Sequence, residues 1–227
     1  MAFDIFFISY RENNAEKNWN RLLQFHKNAM RIHGIKGIDR IHLACDSLAT
    51  TDFFWTIDGD NWLLDPLTYE DPDSDLTMFK AVDPLIHDTT LLGGAKLWRR
   101  GSIINKDMSK GDFSLNATKT KKTLDDYYTE TRYNSSAFDA WKTAFRHCVK
   151  LMSVLFRNRP NAKNIDTYIQ RWKSCGASTG ENSNWAYQGY LDAVEYVKLF
   201  DNDIPRLNMI NDYDWLENYF REKHGTS

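Results

Sequence analysis

The first 57 residues of the chain alternate between short apolar segments and amphipathic helical patterns. Residues 3–10 are mostly apolar and rich in aromatic and branched side chains, residues 29–33 are more weakly apolar, and residues 52–57 form a third such segment. Between these segments, apolar residues recur every three to four positions over 15–28 and 38–48, as in helices. Strand, helix, strand, helix, strand is the pattern of βαβ units, so we predict an α/β fold with a parallel sheet and a ligand site at its carboxyl edge.

The rest of the chain is less regular. Residues 76–82 and 91–98 are predicted strands, with Gly93-Gly94 as a turn between apolar residues. Residues 101–134 are polar and rich in Lys, Thr, Ser and Asp, which is typical of a long surface loop. Helices are predicted after the cap signal Ser135-Ser136 and near residues 164–174, 185–199 and 212–222.

Composition restricts the class of protein. A chain of 227 residues with 14% aromatic and 26% charged residues is long enough for one autonomous globular domain and is not of a disordered or fibrous class. It contains neither an apolar run long enough for a membrane span nor the basic lead of a signal peptide. Cys45, Cys148 and Cys175 fit neither a disulfide framework nor a CxxC metal knuckle. We therefore expect a soluble protein of a reducing cytoplasm.

The net charge of −2 conceals a strong asymmetry along the chain. Lys and Arg number 9 against 15 Asp and Glu in residues 1–98, 16 against 7 in residues 99–173, and 4 against 9 in residues 174–227. One interpretation is a solvated surface with locally biased charge. The other is an electrostatic footprint for a polyanion such as nucleic acid.

Two carboxylates separated by one glycine, Asp58-Gly59-Asp60, directly follow the third apolar segment. Like charges about 5 Å apart repel by roughly 3 kcal/mol at an effective dielectric of about 20, and a cation relieves that repulsion. Mg²⁺ and Mn²⁺ take oxygen ligands and commonly bind through one or two carboxylates plus substrate phosphates. Asp58 and Asp60 are therefore predicted ligands of a divalent ion, while a plain polar turn is the alternative because Asp-Gly is a common turn dipeptide.

The segment Phe53-Phe54-Trp55-Thr56-Ile57-Asp58-Gly59-Asp60 resembles the DxD motif of glycosyltransferases of the GT-A fold. Four further segments, at residues 6–10, 31–38, 93–98 and 136–146, are similar in content and order to a family of tailed-phage GT-A-like proteins related to the glucosyltransferase that makes base J. The resemblance reaches to about residue 175. In the last of these segments Arg146 is followed by His147, where the family's pattern has an acidic residue. His147 is then either a metal ligand or simply a surface or structural residue.

This resemblance implies a GT-A-like, Rossmann-like, mostly parallel sheet flanked by helices, with a helical C-terminal part. It also implies metal-dependent transfer of a sugar from a nucleotide sugar, a UDP-sugar by expectation, to the hydroxymethyl group of a modified pyrimidine in phage DNA. We expect a single domain over residues 1–227. Residues 1–100 would be the nucleotide-sugar-binding half, 101–134 a polar loop region and 135–227 the acceptor side.

Loops after the first and second strands should meet the nucleotide, which nominates Ser9, Tyr10, Arg11 and Lys36. Solvated loop residues are the alternative for these four. Gly93 and Gly94 are candidates for close backbone approach to the sugar, with Lys96 nearby, although a plain tight turn fits the glycines equally well.

If the transfer inverts the anomeric centre, a base must take the proton of the acceptor hydroxyl, and Asp139 is the candidate. An acidic residue that complements the helix dipole is the alternative. Arg146 lies two helical turns further along the same face, so we expect it to line the same wall of a cleft.

Double-stranded DNA with a hydroxymethylpyrimidine is the predicted acceptor, and the basic stretch from Lys106 to Lys122 is the predicted site of phosphate contacts. That prediction includes Lys106, Lys110, Lys119, Lys121 and Lys122. Two other hypotheses remain open at this point. One is a glycosyltransferase that acts on glycans or other acceptors, and the other is a non-catalytic nucleic-acid-binding protein in which Asp58-Gly59-Asp60 is only a turn.

Overall fold

The computed structural model describes residues 3–86, 91–104, 113–157, 165–177 and 180–225. The chain divides into two compact units, Met1–Arg132 and Tyr133–Ser227. The first unit contains the sheet and the Asp58-Gly59-Asp60 turn, and the second unit is helical.

The first unit opens with the predicted βαβ pattern. Strands β1 (Asp4–Ser9), β2 (Met30–His33) and β3 (Phe53–Asp58) are parallel and adjacent in the order β2-β1-β3. The connections between them run through helices α1 (Ala15–Phe25) and α2 (Ile38–Leu48). The three strands and two helices predicted for this part of the chain are confirmed.

The sheet then continues with antiparallel and parallel strands. Among the described residues it has seven strands in the order β2-β1-β3-β6-β5-β7-β4. The additional strands are β4 (Asn61–Leu63), β5 (Leu76–Val82), β6 (Leu91–Arg99) and β7 (Lys121–Thr131), and a short helix α3 (Phe113–Asn116) precedes β7. The α/β class and the strands predicted at 76–82 and 91–98 are confirmed.

Parallel pairing is limited to β2-β1-β3 and to β5 with β7, whereas β6 runs antiparallel to β3 and β5, and β4 antiparallel to β7. The reason for the β5–β6 arrangement is the length of the connection. Only residues 83–90 join the two strands, and a parallel crossover needs about a dozen residues or more.

Both faces of the sheet are apolar and covered. On one face, Phe6, Phe54 and Trp98 pack with Ile41 and Cys45 of α2. On the other face, the strands pack against Ala15 and Leu22 of α1; the buried members there include Phe7, Trp55, Ile57 and Leu97. These residues alternate along each strand, so the near-continuous apolar segments follow from burial of both faces.

Two local predictions for this unit were wrong. Gly93 and Gly94 are not a turn but lie within β6. Residues 121–131 are not part of a loop but form β7, which pairs with β5 and β4. Strand β7 was not predicted because most of its side chains are exposed or half-buried. It therefore lacks the alternation of apolar residues by which strands are recognised.

The second unit contains six α-helices within the described residues. They are α4 (Ala137–Met152), α5 (Val154–Arg157), α6 (Ile165–Ser174), α7 (Ser183–Phe200), α8 (Ile204–Asn208) and α9 (Tyr213–His224). The predicted helices near 164–174, 185–199 and 212–222 correspond to α6, α7 and α9. The predicted cap is also confirmed, because Ser136 Oγ accepts the backbone N–H of Asp139 at 3.0 Å.

Helices α4 and α7 pack closely in the second unit. Trp141 and Phe145 of α4 are fully buried and stack at 4.7 Å between ring centroids. Gly189 of α7 lies against the backbone of Trp141, where a Cβ atom would collide with the Trp141 carbonyl oxygen. None of the helices in the described ranges is long and apolar enough to cross a membrane.

Candidate functional site

The Asp58-Gly59-Asp60 turn lies where β3 ends, as predicted, and leads directly into β4. Hydrogen bonds from three parts of the first unit hold it. The Asn18 side-chain amide of α1 donates to the Gly59 carbonyl oxygen at 2.9 Å, and the Arg132 backbone N–H donates to the Asp60 carbonyl oxygen at 2.7 Å. The Asn61 side-chain amide donates to Asp60 Oδ1 at 2.7 Å. The turn is therefore fixed by its neighbours and does not depend on its own sequence alone.

Gly59 is required by the close approach of the loop that follows β1. A Cβ atom on Gly59 would lie 2.9 Å from the Ser9 Cβ and 2.7 Å from Glu12 Oε2. That carboxylate oxygen is itself held in place, because it accepts the Tyr10 backbone N–H at 2.7 Å. The glycine thus brings the ends of β1 and β3 into contact at the carboxyl edge of the sheet.

Asp58 forms an ion pair with a buried lysine. Lys96 Nζ lies 2.7 Å from Asp58 Oδ2, and the side chains are 6% and 29% exposed, respectively. Lys96 lies on β6 directly opposite Thr56, two residues before Asp58 on the same face of β3. The sequence predicts that a bound metal ion neutralises the charge of these acids. In this structure part of that neutralisation comes from the chain itself.

Two buried side chains beside this ion pair have strongly shifted pKa values. Burial, assisted by the charge of Lys96, lowers the pKa of His42 from 6.5 to about 3. Burial, with a contribution from the charges of Asp46 and Asp58, raises the pKa of Cys45 to about 12. Both side chains are therefore neutral at pH 7.

The predicted nucleotide-binding residues of the first loop lie at the same edge as the turn. Ser9 Oγ is within hydrogen-bond distance of His33 Nδ1, at 3.0 Å, and accepts from Arg31 Nε at 3.3 Å. The Arg11 guanidinium lies 5.2 Å from the centre of the Tyr10 ring. Lys36 follows β2 and is exposed.

His33 and Arg31 were missed by the sequence argument. A signal for them exists, because Ser9 and His33 occupy matching positions at the ends of the neighbouring parallel strands β1 and β2. Residues at such positions meet at the carboxyl edge.

The donor atoms at the turn fit a divalent ion only if the ion takes its remaining ligands from outside the protein. Asp58 and Asp60 offer carboxylate oxygens, the ligands that Mg²⁺ and Mn²⁺ prefer. Across the described ranges, however, no three His, Cys, Asp or Glu side chains are grouped closely enough to hold a metal by themselves. A hard ion that takes its remaining ligands from substrate phosphates and water fits such a set.

Gly94 has a packing role inside β6. A Cβ atom there would collide with Asn61 Oδ1 and Thr129 Oγ1, on β4 and β7, so the glycine lets these side chains lie against β6. Lys96, which was expected beside the sugar, directs its ammonium to Asp58.

The lysines predicted to contact DNA have different surroundings. Lys106 and Lys110 lie outside the described residues. Lys119 and Lys121 are exposed, Lys119 before β7 and Lys121 at its start. Lys122 Nζ forms an ion pair with Asp73 at 3.1 Å. Within the described ranges, Lys119 and Lys121 are therefore the lysines of the predicted set whose side chains are exposed.

A second basic cluster was not predicted. Three cations surround the half-buried ring of Trp62 on β4: Arg132 at 4.0 Å, Arg21 at 5.3 Å and Lys17 at 5.9 Å from its centre. Its members come from α1, β4 and the end of β7, which are far apart in sequence. No local pattern of residues therefore reveals it.

Asp139 and Arg146 belong to the second unit and make internal contacts there. The Asp139 carboxylate accepts from Ser136 Oγ at 2.8 Å and pairs with Lys142 Nζ at 2.7 Å. Arg146 Nε donates to the Ile210 carbonyl oxygen at 2.7 Å, and another guanidinium nitrogen donates to the Tyr213 hydroxyl at 3.1 Å. These contacts match the helix-start alternative for Asp139, and the catalytic roles of both residues stay predictions.

His147 has a structural partner in the same unit, because its Nδ1 accepts the indole N–H of Trp172 at 2.9 Å. Cys45, Cys148 and Cys175 form no disulfide and are buried. Neither observation adds a metal ligand to the site.

The chain matches no known family model. Among solved structures it is similar to a glycosyltransferase involved in the glycosylation of the major capsid of PBCV-1, with a TM-score of 0.31 and 13% identity, covering 43% of this chain and 60% of that one. It is also similar to the mannosyltransferase PcManGT from Pyrobaculum calidifontis in complex with GDP-Man and Mn²⁺, with a TM-score of 0.36 and 9% identity, covering 96% and 81%. The chain spans 60% of the length of the first of these proteins. Both TM-scores are low, so neither alignment supports a function for this chain.

Proposed function

We propose that this chain is a glycosyltransferase that takes a sugar from a nucleotide-sugar donor, a UDP-sugar by expectation, with Mn²⁺ or Mg²⁺ at the Asp58-Gly59-Asp60 turn. The observation that carries the proposal is the position of this turn. It ends β3 at the carboxyl edge of the parallel strands, where α/β sheets bind ligands, and its glycine contacts the loop after β1.

The residues of the chain have separate tasks in this proposal. Asp60 and Asp58 would hold the ion, which when bound neutralises the charge that grows on the leaving diphosphate. Tyr10 offers a ring for the base, and Arg11 and Lys36 offer charges for the phosphates. Asp58 is oriented by its ion pair with Lys96, so its carboxylate is fixed before the donor arrives.

The donor half of the proposal is tested by incubating the protein with Mn²⁺ and a panel of sugar nucleotides and measuring release of the nucleoside diphosphate. Asp60→Asn should reduce this release by at least about 100-fold, a loss typical of groups that stabilise developing charge. Asp65→Asn, which changes a nearby exposed acid, is the matched control and should retain activity. Equal activity of the two variants would remove the turn from the mechanism.

The acceptor we propose is the hydroxymethyl group of a modified pyrimidine in double-stranded phage DNA. Support comes from the resemblance to the phage family and from the positive charge of residues 99–173. Mass spectrometry of nucleosides after reaction with hydroxymethylcytosine and hydroxymethyluracil DNA should find a glycosylated base. Transfer to saccharides or proteins instead would favour a glycan-type acceptor. DNA binding without any donor hydrolysis would favour the non-catalytic alternative.

The proposed DNA contacts are tested through salt dependence. Lys119→Glu combined with Lys121→Glu should weaken DNA binding and flatten its dependence on salt concentration, because fewer counterions are released. The charge-matched control is a double reversal at the exposed Lys27 and Lys198, which are far from β7 in sequence and do not belong to the predicted contact set. If the double variant keeps the wild-type salt slope, this segment does not contact the phosphates.

Asp139 remains our candidate for the base, and Arg146 for a residue beside it. Asp139→Asn should lower kcat while leaving the affinity for the donor unchanged. Asp203→Ala, which removes the carboxylate that caps helix α8 of the same unit, is the control for loss of stability alone. If both variants lose activity only in proportion to their loss of stability, Asp139 is a helix-start residue and not the base.

A further inference from the structure

The buried ammonium of Lys96 is an unusual feature to find beneath a candidate metal site. Lysine is almost never fully buried unless it is paired. Here the pair is with Asp58, whose side chain is the more exposed of the two. A fixed positive charge therefore lies directly behind one of the two carboxylates proposed to hold a divalent cation.

Lys96 is held in this position by its strand. In the sheet it is flanked by Thr56 of β3 and Met78 of β5, both buried. Two residues along β6 on the same face, Trp98 donates from its indole nitrogen to Thr56 Oγ1 at 2.9 Å. Moving the ammonium away would break a buried ion pair, which is strongly unfavourable. The charge is thus a permanent part of the site.

This fixed charge has opposite consequences for a metal ion and for the donor diphosphate. A divalent ion bound to the Asp58 carboxylate would lie close to the Lys96 ammonium and be repelled by it. A diphosphate brings negative charge to the same place and offsets that repulsion. The ion and the diphosphate should therefore assist each other's binding, and such coupling is reciprocal.

We infer that Lys96 is a built-in counter-ion of Asp58 that prevents tight metal binding to the empty site and makes the ion bind together with a nucleoside diphosphate. This inference rests on the proposed function, since it assigns Asp58 and Asp60 to the ion. Lys96 acts through Asp58 and is a positioning residue. The affinity of the site for the ion is then set by a lysine that is paired with one of the proposed ligands.

The test is a titration of the whole chain with Mn²⁺, followed by electron paramagnetic resonance, with and without UDP. Wild-type protein should bind Mn²⁺ at least tenfold more tightly when UDP is present. Lys96→Met, which keeps the length of the stem and removes the charge, should bind Mn²⁺ alone at least tenfold more tightly than wild type and gain less from UDP. Lys96→Arg keeps the charge and should resemble wild type.

Lys80→Met is the matched control, because Lys80 is on the neighbouring strand β5 and pairs with Asp125. It should leave the affinity for Mn²⁺ unchanged. Circular dichroism of each variant identifies any that fails to fold, and Lys96→Gln, which also removes the charge, replaces Lys96→Met if the latter does not fold. Equal affinity of wild type for Mn²⁺ with and without bound UDP overturns the inference, as does a folded Lys96→Met variant with no gain for Mn²⁺ alone.

The two levels of the proposal fail in different ways. If UDP does not bind to wild-type protein even with Mn²⁺, the nucleotide-sugar function is wrong. The inference about Lys96 is then tested by comparing the affinities of Lys96→Met and wild type for Mn²⁺ without UDP. If UDP and Mn²⁺ bind but show no coupling, the function stands and the role given to Lys96 is wrong.

Discussion

The buried His42 should make the first unit sensitive to mild acid. Its side chain is fully buried against Trp98 and Phe113, with ring centroids at 5.0 and 5.1 Å, and its Nδ1 is 2.7 Å from the Ile38 carbonyl oxygen. Because burial lowers the pKa of His42 from 6.5 to about 3, the folded protein keeps this ring neutral at pH values where the unfolded chain protonates it. Between those two pH values the unfolded state binds more protons, so stability is lost as the pH falls.

The size of this loss follows from the pKa difference. Each pH unit below 6.5 removes about 1.4 kcal/mol, so the free energy of unfolding should decrease by about 2 kcal/mol between pH 7.5 and pH 5. At pH 5 the folded ring is still neutral, since its pKa of about 3 lies well below that pH. His42→Leu, which keeps an apolar side chain of similar size, should abolish this contribution.

The assay is urea unfolding followed by tryptophan fluorescence at pH 7.5 and pH 5 for wild type, His42→Leu and His33→Gln. The second variant removes an exposed imidazole from the same unit. Wild type and His33→Gln should lose about 2 kcal/mol more than His42→Leu over this pH interval. If His42→Leu and wild type lose the same free energy, His42 is not held neutral in the folded protein.

Three further changes test other parts of the account. Gly59→Ala should weaken UDP binding with Mn²⁺ in calorimetry, because its methyl group would displace the loop after β1; unchanged affinity would argue against a close approach. Asp192→Asn should lower the free energy of unfolding by about 3 kcal/mol at pH 7, measured in urea, since Asp192 is buried and ion-paired, and this loss should disappear at low pH. Burial raises the pKa of Asp192, but hydrogen bonds from partners such as Trp141 outweigh it, so the pKa in the folded protein is lowered. The contribution of Asp192 to the free energy of unfolding is therefore present above the usual carboxyl pKa and is lost as the pH falls through the lowered pKa of the folded state. Ser136→Ala should cost about 1 kcal/mol in thermal unfolding, whereas Ser135→Ala, outside the cap, should be neutral.

The parts of the fold that could be predicted are those with a local signature. Strands β1 and β3 are recognisable because both of their faces are buried, which makes nearly every residue apolar. The Ser136 cap is recognisable because it needs only residues within one helical turn. The strand β7 has no such signature, since most of its residues are polar and are exposed or half-buried.

The candidate site was predictable only in part, because only some of its contacts are between residues that are close in sequence. Asp58 and Asp60 are neighbours in sequence and directly follow an apolar strand, so their place at the sheet edge follows from the βαβ pattern. The partner of Asp58 is 38 residues away and reaches it only because β6 lies antiparallel to β3 in one particular register. That register depends on the whole sheet and cannot be obtained from the residues around Lys96.

The central claim is that the Asp58-Gly59-Asp60 turn holds a divalent ion together with a nucleotide diphosphate. Its most direct test is a crystal of the whole chain grown with Mn²⁺ and UDP, with diffraction data collected at the manganese absorption edge. The account predicts an anomalous peak within coordination distance of both an Asp60 carboxylate oxygen and a diphosphate oxygen. A diphosphate bound elsewhere, or a manganese peak away from Asp60, would contradict it.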